Sequence, residues 1–295
     1  YVEFKFFIRT KESAVPIAWE NCDNRTIELP AKALSTLNCY TGLRLADPFP
    51  PMHAAGVAIP VFSVRTDEDF GVGDFFDLKK MVDWAVETGQ KFLQILPIND
   101  TTMTGTWIDS YPYNANSSFA LHPMFLRLEE VGKLENPARQ DHYEAIRHEL
   151  NSLPEIDYER VNRTKAAYTR EIFLQNGAEV LQSKEYRKFI ADNSHWLLPY
   201  AAFCVLRDRF GTPDFTLWEE YSVFDKAKIE KFSKENKNEI DYVCFIQYHL
   251  DRQMREVSEY ARAHGVAFKG DIPIGVSRTS VDAWQYPELF YMNTS

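Results

Sequence analysis

Asp271 stands in Gly270-Asp271-Ile272-Pro273, in the C-terminal half of an expected strand that runs from Val266 to Val276. In a parallel barrel the active site gathers at that end of the strands, so a carboxylate there is a candidate for chemistry or substrate contact. The other reading is that it caps a turn. The loop Asp109-Ser110-Tyr111-Pro112-Tyr113-Asn114 follows another expected strand, Lys91 to Pro97, at the same end. Clustered tyrosines with short polar groups can stack on a sugar ring and bond its hydroxyls. The same residues also suit a packed loop with its tyrosines half buried. Asn99 and Asp100 share that location and that ambiguity. Trp19 precedes Asn24-Arg25 in a turn between short strands. It is either an aromatic displayed to a polysaccharide or a core residue.

Other spacings exclude chemistry. Gly71-Val72-Gly73-Asp74 has neither the third glycine of a dinucleotide fingerprint nor the Gly-Lys-Ser/Thr ending of a phosphate loop, so it reads as a helix-capping turn. The histidines (His53, His122, His142, His148, His195, His249 and His264) show no metal-ligand spacing. His122 falls in the loop after a strand, where it can meet a ligand or serve structure. Cys22, Cys39, Cys204 and Cys244 form no Cys-x-x-Cys pair, which argues against a zinc site or a disulfide scaffold and fits a reducing cytoplasm. No cofactor and no metal are expected.

The elements that must position these residues are of two kinds. Val2 to Arg9, Ile17 to Trp19 and Thr26 to Leu29 read as short strands joined by turns, part of a β-sandwich. Leu45 to Pro51, with three prolines, reads as a linker. From there the pattern changes. Gly56 to Phe62 is an apolar run like a strand buried on both faces. Phe75 to Thr88 carries Leu78, Met81, Val82 and Ala85 at helical spacing, with Asp74 as N-cap and Gly89 just past the end. Lys91 to Pro97 completes a β-α-β unit and so implies parallel strands. A long polar and aromatic loop spans 99–123, and 138–262 reads as mostly helical. Its strongest segment is Ile240 to Ala263, with Val243, Ile246, Leu250, Met254, Val257 and Ala261 on one face.

The chain has 295 residues, 45% hydrophobic, 14% aromatic and 26% charged, with a net charge of −10. General disorder is excluded, and neither nucleic acid nor an anionic membrane is the expected partner, since both need basic patches. No stretch approaches the ~18 consecutive apolar residues of a membrane helix. At about 31 residues per βα unit, 54–295 has the length of a whole barrel, yet only three parallel strands are legible. The expected fold is therefore α/β: the N-terminal part of a TIM (β/α)8 barrel at 54–295 with a large helical insertion at about 124–263, plus a small partial β-sandwich at 1–45, joined by a linker at 46–53. The chain opens on Tyr1 inside an expected strand and stops at Ser295. It is expected to be a fragment of a longer protein.

Several ordered motifs together resemble glycoside hydrolase family 77, the amylomaltases or 4-alpha-glucanotransferases. They are Gly56 to Phe62, Gly71-Val72-Gly73-Asp74, Leu93-Gln94-Ile95-Leu96-Pro97, Ser110-Tyr111-Pro112-Tyr113, Ser118-Phe119-Ala120, Gly270 to Val276, and Ser280-Val281-Asp282-Ala283-Trp284. The resemblance covers about residue 54 to the end. It implies a retaining double displacement on α-1,4-glucans, in which an aspartate attacks the anomeric carbon, a glutamate protonates the leaving oxygen, and a sugar hydroxyl replaces water as acceptor. Tyr113 matches the tyrosine of the family's Ser-Pro-Tyr motif and Asp271 the strand-three aspartate, so both are expected in the donor-sugar site, with Ser110 and Asp100 as further substrate contacts. Tyr111 is inserted relative to Ser-Pro-Tyr, and Asn99-Asp100 replaces the family's Gly-Pro. Both departures favour the disproportionating-enzyme-2 type. No Arg-x-Asp segment occurs in a family-like context, Arg207-Asp208-Arg209 lying in an expected helix. The nucleophile and the acid are thus expected after Ser295, and no catalytic residue within this chain.

Residues 1–45 resemble the C-terminal half of a family 20 starch-binding module, through Lys5, Trp19-Glu20 and Asn24-Arg25. That resemblance implies a glucan site of Lys5, Trp19 and Asn24, with the module's other half absent. The expected partner is maltose, a maltodextrin or another α-glucan, in the cytoplasm. Two other readings stand beside transfer: a non-catalytic glucan-binding protein, and a hydrolase of the α-amylase type.

Overall fold

The computed structural model describes residues 1–28, 41–49 and 53–292. Leu29 at the end of the third expected strand, Cys39, the linker prolines Pro50 and Pro51, and Ser295 lie outside the described residues. The chain forms two compact units, Tyr1–His53 and Ala54–Ser295.

The first unit holds four short strands in two antiparallel pairs. β1 (Val2–Phe4) pairs with β4 (Arg25–Ile27), and β2 (Phe7–Ile8) pairs with β3 (Ala18–Trp19). The single strand expected over Val2 to Arg9 is thus broken at Lys5-Phe6. The reason is a side chain: the Phe6 N–H donates to Glu20 Oε1 at 3.0 Å.

The second unit is built on a parallel three-stranded sheet in the order β5-β6-β7 (Gly56–Ala58, Phe92–Gln94, Ala267–Lys269). Gly56 is required where β5 meets β6, because a Cβ there would lie 2.1 Å from the Phe92 carbonyl oxygen. Leu93 at the centre of the sheet is fully buried. All three strands are shorter than expected. β5 ends before Pro60, and Val61–Ser63 turns into a 3-10 segment. It is also an edge strand that is not buried on both faces: Gly56 and Val57 are half-buried and Ala58 is exposed.

Helix α1 (Asp77–Glu87) crosses between β5 and β6, burying Leu78, Val82 and Ala85. It starts later than expected, and Asp74 is not its N-cap. Instead Asp74 and Asp77 form a reciprocal turn. The Asp74 N–H donates to Asp77 Oδ2 at 2.8 Å, and Asp74 Oδ1 accepts from the Phe76 N–H at 2.9 Å. Gly89 does follow the helix end in the left-handed region, at φ 72°.

Between β6 and β7 lie α2 (Pro137–Ser152), α3 (Tyr158–Gln182), α4 (Lys184–Phe210), α5 (Lys226–Glu235) and α6 (Lys237–Ala263). Asn136, Asp157, Ser183 and Asp225 cap α2 to α5 with side-chain oxygens, which satisfy N–H groups that the first turn leaves free. α6 presents Ile246, Leu250, Val257 and Ala261 as a buried stripe. Its C-terminal end packs with Val82 and Ala85 of α1, Leu93 of β6 and Val266 just before β7, and its middle packs with Phe173 and Ile172 of α3. A second core gathers Phe203, Trp218 and Trp284 around α4 and α7 (Val281–Gln285). Among the described residues, no helix is long and apolar enough to cross a membrane.

Candidate functional site

Parallel strands put their C-terminal ends on one edge, and the loops leaving β6 and β7 meet there. The Tyr113 hydroxyl donates to Asp271 Oδ2 at 2.7 Å, across 158 residues of sequence. Asp271 Oδ1 accepts from the Ile272 N–H at 3.1 Å. Asp271 lies two residues beyond the end of β7, not within the strand, so its carboxylate is free of the ladder. The Tyr111 ring packs 5.7 Å from that of Tyr113 and is 61% exposed. The Asp271 carboxylate, by its hydrogen bond and its charge, pushes the Tyr113 phenol above its ordinary range. Tyr113 therefore stays a proton donor at neutral pH. Its bond holds one oxygen of the Asp271 carboxylate in place.

Deeper groups hold this loop in shape. Asp109 is 3% exposed, and its Oδ2 collects the N–H groups of Met103, Thr104 and Gly105 at 3.0, 2.8 and 2.7 Å. Ser110 ends the 3-10 turn Trp107–Ser110 and is exposed. Asp100, expected as a sugar contact, is 1% exposed. Its Oδ1 takes the Thr102 N–H and hydroxyl, and its Oδ2 takes Asn116 Nδ2 at 3.1 Å and the Tyr200 hydroxyl at 2.8 Å. With both oxygens engaged, Asp100 is a fastening between the loop and α4 and not part of the Tyr113–Asp271 surface. Arg207 of α4 adds a bond to the Thr102 carbonyl at 2.7 Å. The Ala115↔Val276 bridge then ties the loop to the segment after Asp271.

Two buried features escaped the sequence reading. Arg127 joins Asp74 Oδ2 and Asp77 Oδ1, each at 2.6 Å, with Asp74 and Asp77 both 1% exposed. Their spacing from Arg127 gives no periodic signal. His249 of α6 is 5% exposed, and neither ring nitrogen has a hydrogen-bond partner among the described residues. Burial, with Arg252 adding to it, lowers its pKa to about 3. His122 is structural: Nδ1 accepts from the Met124 N–H at 3.1 Å, and Nε2 shares a proton with the Tyr158 hydroxyl at 2.9 Å. Gly71 turns at φ 78° ahead of the Asp74 turn, its N–H donating to Asp69 Oδ1 at 2.8 Å and Asn151 Oδ1 at 2.7 Å. Among the described residues no group of His, Cys, Asp and Glu is arranged to hold a metal.

In the first unit Trp19 is displayed, not buried: it is 53% exposed, its ring 5.1 Å from that of Phe7, which is 42% exposed. Lys5 is half-buried and lies in the break between β1 and β2. Asn24 precedes β4 and donates to Glu3 Oε2 at 3.3 Å. The sequence reading treated Glu20 only as a neighbour of Trp19. It is 2% exposed and accepts from Phe6, Arg25 and Ala46.

A family model described as 4-alpha-glucanotransferase matches residues 59–295. The chain is 46% identical over 248 residues to the 4-alpha-glucanotransferase DPE2 of Oryza sativa subsp. japonica, covering 83% of this chain and 26% of that protein. It is 33% identical over 247 residues to the 4-alpha-glucanotransferase of Chlamydia trachomatis serovar D, covering 83% of this chain and 45% of that one. The fold is that of the amylomaltase from Streptococcus agalactiae, solved in complex with acarbose. The TM-score is 0.65 at 24% identity, over 81% of this chain and 47% of that one. The amylomaltase from Corynebacterium glutamicum aligns with a TM-score of 0.61 at 20% identity, over 79% of this chain and 32% of that one. The chain thus spans from about a quarter to under half the length of these relatives.

Proposed function

The chain belongs to glycoside hydrolase family 77, the 4-alpha-glucanotransferases, and on that premise we propose that the protein it forms part of moves α-1,4-linked glucosyl or maltosyl units between glucans by a retaining double displacement. The carrying observation is the Tyr113–Asp271 bond at the shared edge of the parallel strands. In this reading a donor sugar rests against the Tyr113 ring, and a sugar hydroxyl donates to Asp271. Tyr113 stays protonated and keeps the carboxylate oriented. Exposed Ser110 offers a further hydroxyl. Asp100 acts one step back, holding the loop to α4. The nucleophile and the acid belong to the part of the relatives' length that this chain does not span. For retention their carboxyl groups stand ~5–5.5 Å apart. The acarbose bound by the streptococcal amylomaltase supports an oligosaccharide as ligand.

The finer architecture is proposed with it. Residues 54–295 are the N-terminal portion of a TIM barrel, supported by three adjacent parallel strands with active-edge loops at their C-terminal ends. Residues 1–45 are part of a family 20 starch-binding module with Lys5, Trp19 and Asn24 as its glucan site, supported by the exposed Trp19–Phe7 pair. The cytoplasm is the proposed location, supported by the free cysteines Cys22, Cys204 and Cys244 among the described residues.

The test is the full-length protein with maltose as donor and glycogen as acceptor, wild type against Asp271→Ala. Longer glucan chains and released glucose are expected from wild type, and at least a ~10-fold loss from the variant. Unchanged transfer in the variant removes Asp271 from the site. Reducing sugar without longer chains assigns a hydrolase instead, and no turnover with retained glucan binding assigns a binding protein.

A further inference from the structure

A cavity of about 550 Å3 opens among α3, α4 and α6, and neither Tyr113 nor Asp271 lines it. That volume falls in the ~300–1,000 Å3 range of small-molecule sites. Leu126, Ala166, Val205, Val243 and Ile246 give it an aliphatic wall, and beside them stands the buried Lys165, whose ammonium donates to the Met124 and Leu126 carbonyls. Its floor holds the buried Asp100 and Tyr200, already bonded to each other.

The mouth is charged. Arg170 pairs with Glu239 at 2.6 Å, and Arg207 pairs with Asp208 at 2.8 Å. Arg209 has no carboxylate partner among the described residues. Its hydrogen bond goes to the neutral Asn236 amide oxygen at 2.5 Å. The Arg209 guanidinium lies 4.8 Å from the Phe232 ring centroid and stands beside the aliphatic wall with no carboxylate across from it among the described residues, in a chain whose net charge is −10. A sugar is a poor fit. The Tyr242 face is covered by the Arg170 guanidinium at 3.6 Å, and Tyr200 is 2% exposed, so neither ring offers a stacking surface.

We propose that this cavity binds an organic monocarboxylate with an apolar body, its carboxylate on Arg209 and its body against Val205, Val243 and Ile246. A planar carboxylate matches the guanidinium fork, and an aliphatic body matches the walls. The site is independent of the donor-sugar reading, because it shares no ligand contact with Tyr113 or Asp271.

The test is calorimetric titration of the protein with decanoate, with decanol as the neutral probe of the same body and maltose as the sugar probe. Saturable binding of decanoate is expected, about tenfold tighter than that of decanol. Arg209→Gln, a change at an exposed residue, removes that difference. Val243→Trp fills the shaft and abolishes binding of both. Ala166→Leu, a smaller change in the same wall, weakens both and covers the case in which the tryptophan variant misfolds. The proposal is overturned if decanoate does not bind, if decanol binds as tightly, if Arg209→Gln leaves the difference intact, or if maltose displaces decanoate.

Discussion

Among the described residues of 1–53 the side chain removed from water is a carboxylate, whereas among those of 54–295 it is a crowd of leucines, phenylalanines and tryptophans. Among the described residues of the first unit, Glu20 alone is buried, and Phe6, Arg25 and Ala46 all bond to it. The second unit buries Leu93, Phe203, Phe245, Trp218 and Trp284 completely or nearly so, and places its own buried charges, Arg127 with Asp74 and Asp77, beside that core. The contrast teaches what each unit depends on. Among the described residues the four short strands bury no apolar residue, and the Glu20–Arg25 ion pair ties β4 to the segment between β1 and β2, so this unit should be sensitive to the loss of one charge. A unit with an apolar core loses only a fraction of its stability when one polar group is changed.

The largest expected effect is therefore Glu20→Gln. Amide hydrogen exchange over 1–28 should rise to that of an unfolded chain, while the second unit's protection is unchanged. Protected strands in this variant would break the comparison. The pH dependence has a definite sign. Arg25 above all, with the Phe6 and Ala46 N–H groups adding to it, holds the Glu20 carboxyl at about 2 against an ordinary 4.5. Its contribution is whole above pH 4.5 and is lost as pH falls toward 2.

Next is Arg127→Met, which leaves the Asp74 and Asp77 carboxylates buried and facing one another. It should cost the second unit ~3–5 kcal/mol in urea unfolding and spare the first. A cost below ~1 kcal/mol would show that the apolar core alone carries this unit.

Smaller again is His249→Leu, which should raise the second unit's stability by ~1–3 kcal/mol by removing two unpartnered buried nitrogens. The wild-type histidine, held at about 3 against 6.5, refuses a proton that the unfolded chain accepts. The His249 contribution to the second unit's stability should fall as pH drops from 6.5 toward 3, and the leucine variant should lose that part of the slope. The two losses then begin at different pH, below 6.5 for His249 and below 4.5 for Glu20. Coincident transitions would join what the structure separates.

The smallest effect on stability is Tyr113→Phe, within ~0.5 kcal/mol because the bond lies at the surface. In the full-length protein the same change should lower glucan transfer at least ~10-fold. A large stability loss with unchanged transfer would make the bond a structural one.

The element types were legible wherever a period repeated over several turns. Leu78, Met81, Val82 and Ala85 announced α1, and Val243 through Ala261 announced α6. Asp271 was legible as a candidate because it sits in the C-terminal half of an expected strand, and Tyr113 because it sits in the loop that follows another. Boundaries were not legible where a side chain takes over a backbone bond. Glu20 accepts the Phe6 N–H and splits a strand, and Asp77 accepts the Asp74 N–H and delays a helix. Asp100 looked like a ligand contact because position after a strand says nothing of exposure. Only the arrival of Tyr200 from α4, a hundred residues away, buries it.

By itself the sequence determined the local periods, the parallel character implied by β-α-β, the net charge of −10, and the family through its ordered motifs. All of these depend on residues near one another along the chain or on composition. The tertiary structure decided which distant groups meet: Tyr113 with Asp271, Arg127 with Asp74 and Asp77, Tyr200 with Asp100, and the arginines at the mouth of the α3–α4–α6 cavity. These contacts span tens to more than a hundred residues. Their energies come from burial and charge pairing, which no local pattern records.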